Sequence, residues 1–279
     1  MTFQLLECLS LPGDPAKANE DAFGHDARAA VVIDGATPLG DGLMPGPSDA
    51  AWIAQFGARR LMAHLREGDG ARKALRGTLG DAQKSFEALR RHPPEEMWQT
   101  PCASMMLAVP AEGSAEFLWY GDCAALVKQG EAAVMVVGET FDKRAAEAQR
   151  ARALAKEKNL SPSLSRPEFI DTLRTARNRI NNGDNWLFSP DVKAAAHVSR
   201  RVMKMAPEAI VLLATDGFLA LASDYGAYSA DSLMAAAMSR GLAVLGEELR
   251  AIEAGDSGGD KFPRFKKSDD ATALLLKVT

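Results

Sequence analysis

The chain has 279 residues, with 33 Lys and Arg against 37 Asp and Glu, for a formal charge of −4. At 47% apolar and 25% charged residues it matches a globular protein with a large core, which excludes wholesale disorder. Mild acidity argues against a surface built mainly to grip nucleic acid, and no apolar run approaches the roughly 20 residues that cross a bilayer.

The chain order is β-rich, then helical, then β-rich again. Residues 3–9 and 29–33 are apolar runs of strand length. Ser48 and Asp49 can cap a helix whose apolar stripe is Trp52, Phe56, Leu61 and Leu65. A second helix over 71–91 must end before Pro93-Pro94. Strands are expected at 105–109, 115–120, 124–128 and 132–137. The short connections Glu112-Gly113-Ser114 and Gln129-Gly130-Glu131 make these hairpins.

Phe169, Leu173, Ala176 and Ile180 predict a helix that stops at Asn181-Asn182-Gly183. Strand 210–215, one or two helices over 229–252 and strand 272–278 complete the chain. The pattern predicts an α+β layered domain with mostly antiparallel pairing. No GxGxxG follows the first strand and no GxxxxGK[ST] occurs, so dinucleotide and P-loop chemistry lack their basic signal.

Three cysteines, Cys8, Cys102 and Cys123, are too few for a disulfide scaffold and are expected as buried free thiols in a reducing compartment. The first eleven residues lack a basic start and a cleavage signal. A soluble, cytoplasmic protein is the expectation.

The residues that carry chemistry are acids at strand ends. They fall in Asn19-Glu20-Asp21-Ala22, Ile33-Asp34-Gly35, Gly121-Asp122-Cys123, Thr215-Asp216-Gly217 and Asp269-Asp270-Ala271-Thr272. Singly, each Asp-Gly is an ordinary turn dipeptide, in which Asp caps its own backbone and Gly accepts positive φ. Several carboxylates in one cleft would repel by roughly 4 kcal/mol per pair at about 4 Å, so they must protonate or gather cations. An all-oxygen ligand set selects hard ions such as Mg²⁺ or Mn²⁺.

The ordered series, spanning nearly the whole chain, resembles the metal-dependent serine/threonine protein phosphatases of the type 2C, or PPM, family. The resemblance implies a four-layer α-β-β-α sandwich of two antiparallel sheets flanked by helices, here one domain over 1–279. It implies two divalent ions, Mg²⁺ or Mn²⁺, bridged by Asp34. Glu20 and the Gly35 carbonyl would lie on one side, with Asp216 and Asp269 on the other. Asp21 would hold a coordinated water, and Asp122 would complete a third site with Asp216. The activity implied is dephosphorylation of phosphoserine or phosphothreonine in a protein partner, by water activated between the ions. No nucleic acid or membrane partner is implied, and a monomer is the default. The alternatives are a catalytically weak binding module on the same fold and a small-molecule phosphatase.

The sequence departs from the family at four places. Ala16 stands where many members carry a phosphate-binding Arg; Lys17 is the nearest substitute, without bidentate geometry. Ala36-Thr37 follows Asp34-Gly35 where some members have a His. Asp269-Asp270 replaces Asp-Asn, with Asp269 the preferred ligand. Residues 139–204 read as a helical insertion or flap. Its Arg150, Arg152, Arg174, Arg177 and Arg179 form either a solvated face or a surface for a phosphorylated partner. Trp186 is expected in the core, and His25, His64, His92 and His197 in structural or exposed positions.

Overall fold

The computed structural model describes residues 1–138, 149, 153, 166–259, 261–262, 264 and 266–279. Arg150 and Arg152 lie outside the described residues. One five-stranded sheet runs β1 (Phe3–Leu11), β10 (Ala271–Val278), β9 (Ile210–Ala214), β6 (Ala124–Lys128), β7 (Met135–Gly138). The other runs β2 (Asp21–Asp26), β3 (Ala29–Gly35), β4 (Ala103–Ala111), β5 (Ser114–Tyr120), β8 (Ser199–Lys204). Every pairing within them is antiparallel.

Side-chain alternation assigns the faces. Val31 and Ile33 of β3 face a core shared with Ile53, Leu61, Leu75 and Leu79 of α1 (Asp49–Arg66) and α2 (Ala71–Leu89). Ala30 and Val32 instead join Phe117, Leu213, Leu274 and Leu276 between the sheets. Leu212 and Leu275 turn outward to α4 (Asp216–Ser223), α5 (Ala230–Arg240) and α6 (Leu242–Gly255), meeting Phe218, Leu233 and Leu245. Both faces of each sheet are thus covered, which is why the inner strands read as continuous apolar runs. The expected four-layer α-β-β-α order is what the chain forms.

The Ser48 cap is present: its backbone is extended and its hydroxyl accepts from the Ala50 and Ala51 N–H groups. Gly241, at φ 85°, splits the 229–252 segment into α5 and α6. Several boundaries differ from expectation. Helix α3 (Arg166–Arg177) ends before Ile180: the Arg179 and Ile180 N–H groups donate to the Ala176 and Arg177 carbonyls three residues back, in turns that lead to left-handed Asn181 at φ 58°. Strand β8, Ser-Arg-Arg-Val-Met-Lys, lies within the segment read as helical insertion; an exposed edge strand tolerates charge and shows no apolar alternation. Strand β2, Asp-Ala-Phe-Gly-His-Asp, is not among the expected strands, because it begins and ends on acids and holds no apolar run. Cys102 and Cys123 are buried as expected, but Cys8 is exposed on edge strand β1. Among the described residues, no helix is long and apolar enough to cross a membrane.

Candidate metal centre

Sheet register gathers the acids at one edge of the sandwich. The β2–β3 ladder sets Asp21 opposite Asp34, and β3–β4 sets Asp34 opposite Ser104. Ser104 Oγ donates to Asp122 Oδ1 at 2.7 Å, fixing the turn between β5 and β6. From the other sheet, Asp216 follows β9 and Asp269 precedes β10, its neighbour. Asp34, Asp122 and Asp216 place one carboxylate oxygen each within 4.8 Å of the others. At that spacing each like-charge pair costs about 3 kcal/mol at an effective dielectric near 20.

The two Asp-Gly pairs are not positive-φ turns. Neither Gly35 nor Gly217 has left-handed backbone. A Cβ on Gly35 would fall 2.8 Å from the Glu20 carbonyl oxygen and 2.7 Å from the Ala50 carbonyl carbon. A Cβ on Gly217 would press on the Asp270 carbonyl, 3.0 Å from its carbon and closer to its oxygen. Glycine is required because another segment's backbone passes there. Asp216-Gly217 also opens helix α4 with Asp in its first turn, where the sequence suggested a turn.

Burial drives the Asp34 carboxyl well above the ordinary carboxylate range, and Asp216, Asp21, Asp122 and Asp269 push it further. Burial does the same to Asp21, against hydrogen bonds from Thr215 and Thr272 that favour its ionised form. Asp21 is 5% exposed; Thr215 Oγ1 donates to its Oδ2 at 2.8 Å, while its Oδ1 is buried without a partner. An orphaned buried acceptor beside three converging carboxylates, all oxygen donors, fits a hard divalent ion.

A raised carboxylate pKa favours the protonated folded state. Its stabilisation is full below the ordinary carboxylate range and is lost as pH rises through the raised values. Asp256, whose pKa is held down to about 2 chiefly by the Lys261 backbone N–H, stays ionised across that window. The metal-free protein should therefore lose melting temperature as pH rises above the ordinary carboxylate range, and saturating Mn²⁺ should reduce or reverse the loss. Thermal melts in EDTA and in Mn²⁺ check this; a metal-free melting temperature that rises with pH would contradict it.

The other expected ligands divide. Glu20 accepts hydroxyl bonds from Thr37 at 2.5 Å and Ser48 at 2.6 Å. Its backbone carbonyl accepts the Gly35 N–H. Asp269 Oδ1 holds the Lys266 ammonium at 2.6 Å; burial raises the Asp269 pKa and Lys266 works to lower it. Neighbouring Asp270 commits both carboxylate oxygens to backbone, taking the Gly13 and Glu20 N–H groups at 2.6 Å each. Lys17 lies on an exposed loop, its Nζ 3.7 Å from Asp14. The structure thus brings Asp21, Asp34, Asp122, Asp216 and Asp269 together and sets Lys17 on the exposed loop.

A cleft of about 900 Å³ extends from Asp34 and Asp122 to a wall that includes Trp119, Trp186 and His197. The Trp186 and His197 rings stack at 3.7 Å between centroids, and Trp186 Nε1 donates to the Gly183 carbonyl at 2.6 Å. Trp186 packs against the core, as expected, and also lines the cleft, where His197, exposed as expected, stacks on it. From α3, Arg174 donates to the Leu39 carbonyl while stacking over Trp98, and Arg177 donates to the Thr37 carbonyl. Those two arginines clamp the loop after Gly35, which explains their charge without a phosphorylated partner. Arg179 is exposed.

No protein-family model and no curated protein sequence matches the chain. Solved structures do match its fold. The Mycobacterium tuberculosis serine/threonine phosphatase PstP/Ppp superposes with a TM-score of 0.60 at 14% identity, covering 100% of this chain and 99% of that one. The catalytic domain of PstP in complex with two manganese ions gives 0.57 at 14% identity, with coverage of 100% and 99%. The PPM Ser-Thr phosphatase MsPP from Mycobacterium smegmatis, in complex with cacodylate, gives 0.55 at 17% identity and 99% of both chains. At these identities what is shared is architecture: the chain has the fold of the PPM serine/threonine phosphatases.

Proposed function

We propose that the protein is a Mg²⁺- or Mn²⁺-dependent phosphomonoester hydrolase acting on phosphoserine or phosphothreonine in proteins. The observation that carries this reading is the convergence of Asp34, Asp122 and Asp216 within 4.8 Å, beside the orphaned Asp21 Oδ1. It stands on the fold of a phosphatase solved with two manganese ions. Asp34, Asp216 and Asp269 would hold the ions, with Asp122 at a further position. Two divalent ions so held lower the pKa of a shared water and orient a phosphoryl group for in-line attack.

The chain's own groups supply positioning. Ser104 orients Asp122, and Thr215 leaves Asp21 one oxygen free as an acceptor. The aromatic wall of Trp119 and Trp186 gives the residues flanking a phosphorylated side chain an apolar surface to rest on. Buried Cys102 and Cys123, their thiol pKa values raised by burial, support a reducing, cytoplasmic setting. The test is release of phosphate from phosphoserine and phosphothreonine peptides with Mn²⁺, with EDTA and from a panel of phosphorylated metabolites. Turnover of the peptides that EDTA abolishes is expected. No Mn²⁺-dependent turnover of any peptide would contradict the reading.

A further inference from the structure

Lys266 is the side chain at the acid cluster that the motif pattern does not account for. Its Nζ sits 2.6 Å from Asp269 Oδ1, and its side chain is about two-thirds buried, at 34% exposure. The same oxygen also accepts the Asp270 N–H at 3.0 Å, while Arg250 Nη2 holds the Asp269 backbone carbonyl at 2.9 Å. Asp269 is thus fixed from the main chain, and the ammonium is the movable partner on its carboxylate. Burial works to lower the Lys266 pKa, but Asp269, Asp34 and Asp216 together raise it above the ordinary lysine value. The residue is charged at any working pH. It sits where a divalent ion bound by Asp269 would need the same carboxylate.

Charge balance then sets an order. Asp34, Asp122 and Asp216 converge on one position, whereas an ion on Asp269 must first displace a resident cation. Once displaced, an ammonium on a four-carbon stem stays near enough for the Asp34 and Asp216 charges to act on it, beside a site whose substrate is a phosphoryl dianion. Ala16 offers no guanidinium to that dianion, and Lys17 pairs with Asp14.

We propose that Lys266 is the counter-cation of the acid cluster, holding Asp269 until the second divalent ion takes it and then contacting the substrate's phosphoryl group. The proposal rests on the phosphatase reading above. It makes Lys266 both a competitor for metal and a substrate-binding group, two roles that separate in experiment.

Calorimetric titration with Mn²⁺ should resolve a tighter and a weaker site in the unaltered protein. In Lys266→Met, the weaker site should tighten by about tenfold, since a charged competitor is gone. With phosphoserine peptide, the same variant should raise KM about tenfold with kcat within about twofold, and Lys266→Arg should restore most of the KM. Circular dichroism melts check folding, and Lys266→Gln serves as a second neutral variant should Lys266→Met not fold. An unchanged Mn²⁺ isotherm in the neutral variant, with two ions still bound and turnover intact, would overturn the inference and leave the phosphatase reading standing. A KM defect in Lys17→Ala but not in Lys266→Met would overturn the phosphate contact. Absence of any Mn²⁺ binding by the unaltered protein would overturn both.

Discussion

Asp34→Asn should abolish Mn²⁺-dependent phosphatase activity, by at least about 10³-fold, while making the metal-free protein more stable. The two effects have one cause. Asp34 is the acid most surrounded by others: burial, then Asp216, Asp21, Asp122 and Asp269, disfavour its charge. An amide of the same shape removes that charge from each of these pairs. Every 1 kcal/mol so relieved should raise the metal-free melting temperature by about 2–4 °C in a chain of this size. The divalent ions lose their shared ligand at the same stroke, so the stabilisation by Mn²⁺ expected of the unaltered protein should shrink. Ordinary structural damage predicts loss of activity with loss of stability; a metal-holding carboxylate predicts loss with gain. Activity assays and paired melts with and without Mn²⁺ separate the two.

Gly217→Ala should be among the most damaging single substitutions in the chain. The added Cβ meets the Asp270 carbonyl, a backbone group that cannot step aside. Asp270 is pinned by its own side chain, whose two oxygens accept the Gly13 and Glu20 N–H groups. Thr215, two residues earlier, is also tied to β10: its N–H donates to the Thr272 carbonyl and its hydroxyl accepts the Thr272 N–H. Relief therefore requires moving β10, α4 or the 13–20 loop, each of which carries or neighbours a ligand. A cost of about 3 kcal/mol or more is expected, together with weakened Mn²⁺ binding. Chemical denaturation gives the first quantity and calorimetry the second. A variant as stable as the parent would show that this backbone contact is looser than described.

Much of the site was legible because chemistry and topology coincide in it. Asp34, Asp122, Asp216 and Asp269 stand at the ends of apolar strands, and an antiparallel sandwich brings such ends to one edge. The inner strands could be read because both their faces are covered, making unbroken apolar runs. What escaped notice lacked that signature. Strand β8 is exposed and basic, and β2 starts at a buried acid. The glycines after Asp34 and Asp216 could be recognised as needed but not why: a passing backbone is a long-range fact, invisible to local turn rules. Lys266 escaped for the same reason. A lysine among Lys266, Lys267 and Ser268 looks like a solvated loop until Asp269 is seen beside it. Trp186 and His197 lie eleven residues apart in sequence, and no periodicity predicts that their rings stack at the cleft.

The central claim is that the strand-end acids form a divalent-metal centre. Its most direct test is a crystal structure of the protein grown with Mn²⁺ and measured for anomalous scattering. The account predicts two strong peaks, both within ligand distance of the Asp34 carboxylate and one of them also within reach of the Asp216 and Asp269 carboxylates, about 2.0–2.4 Å. A map with Mn²⁺ present in excess but no peak among these residues would contradict it.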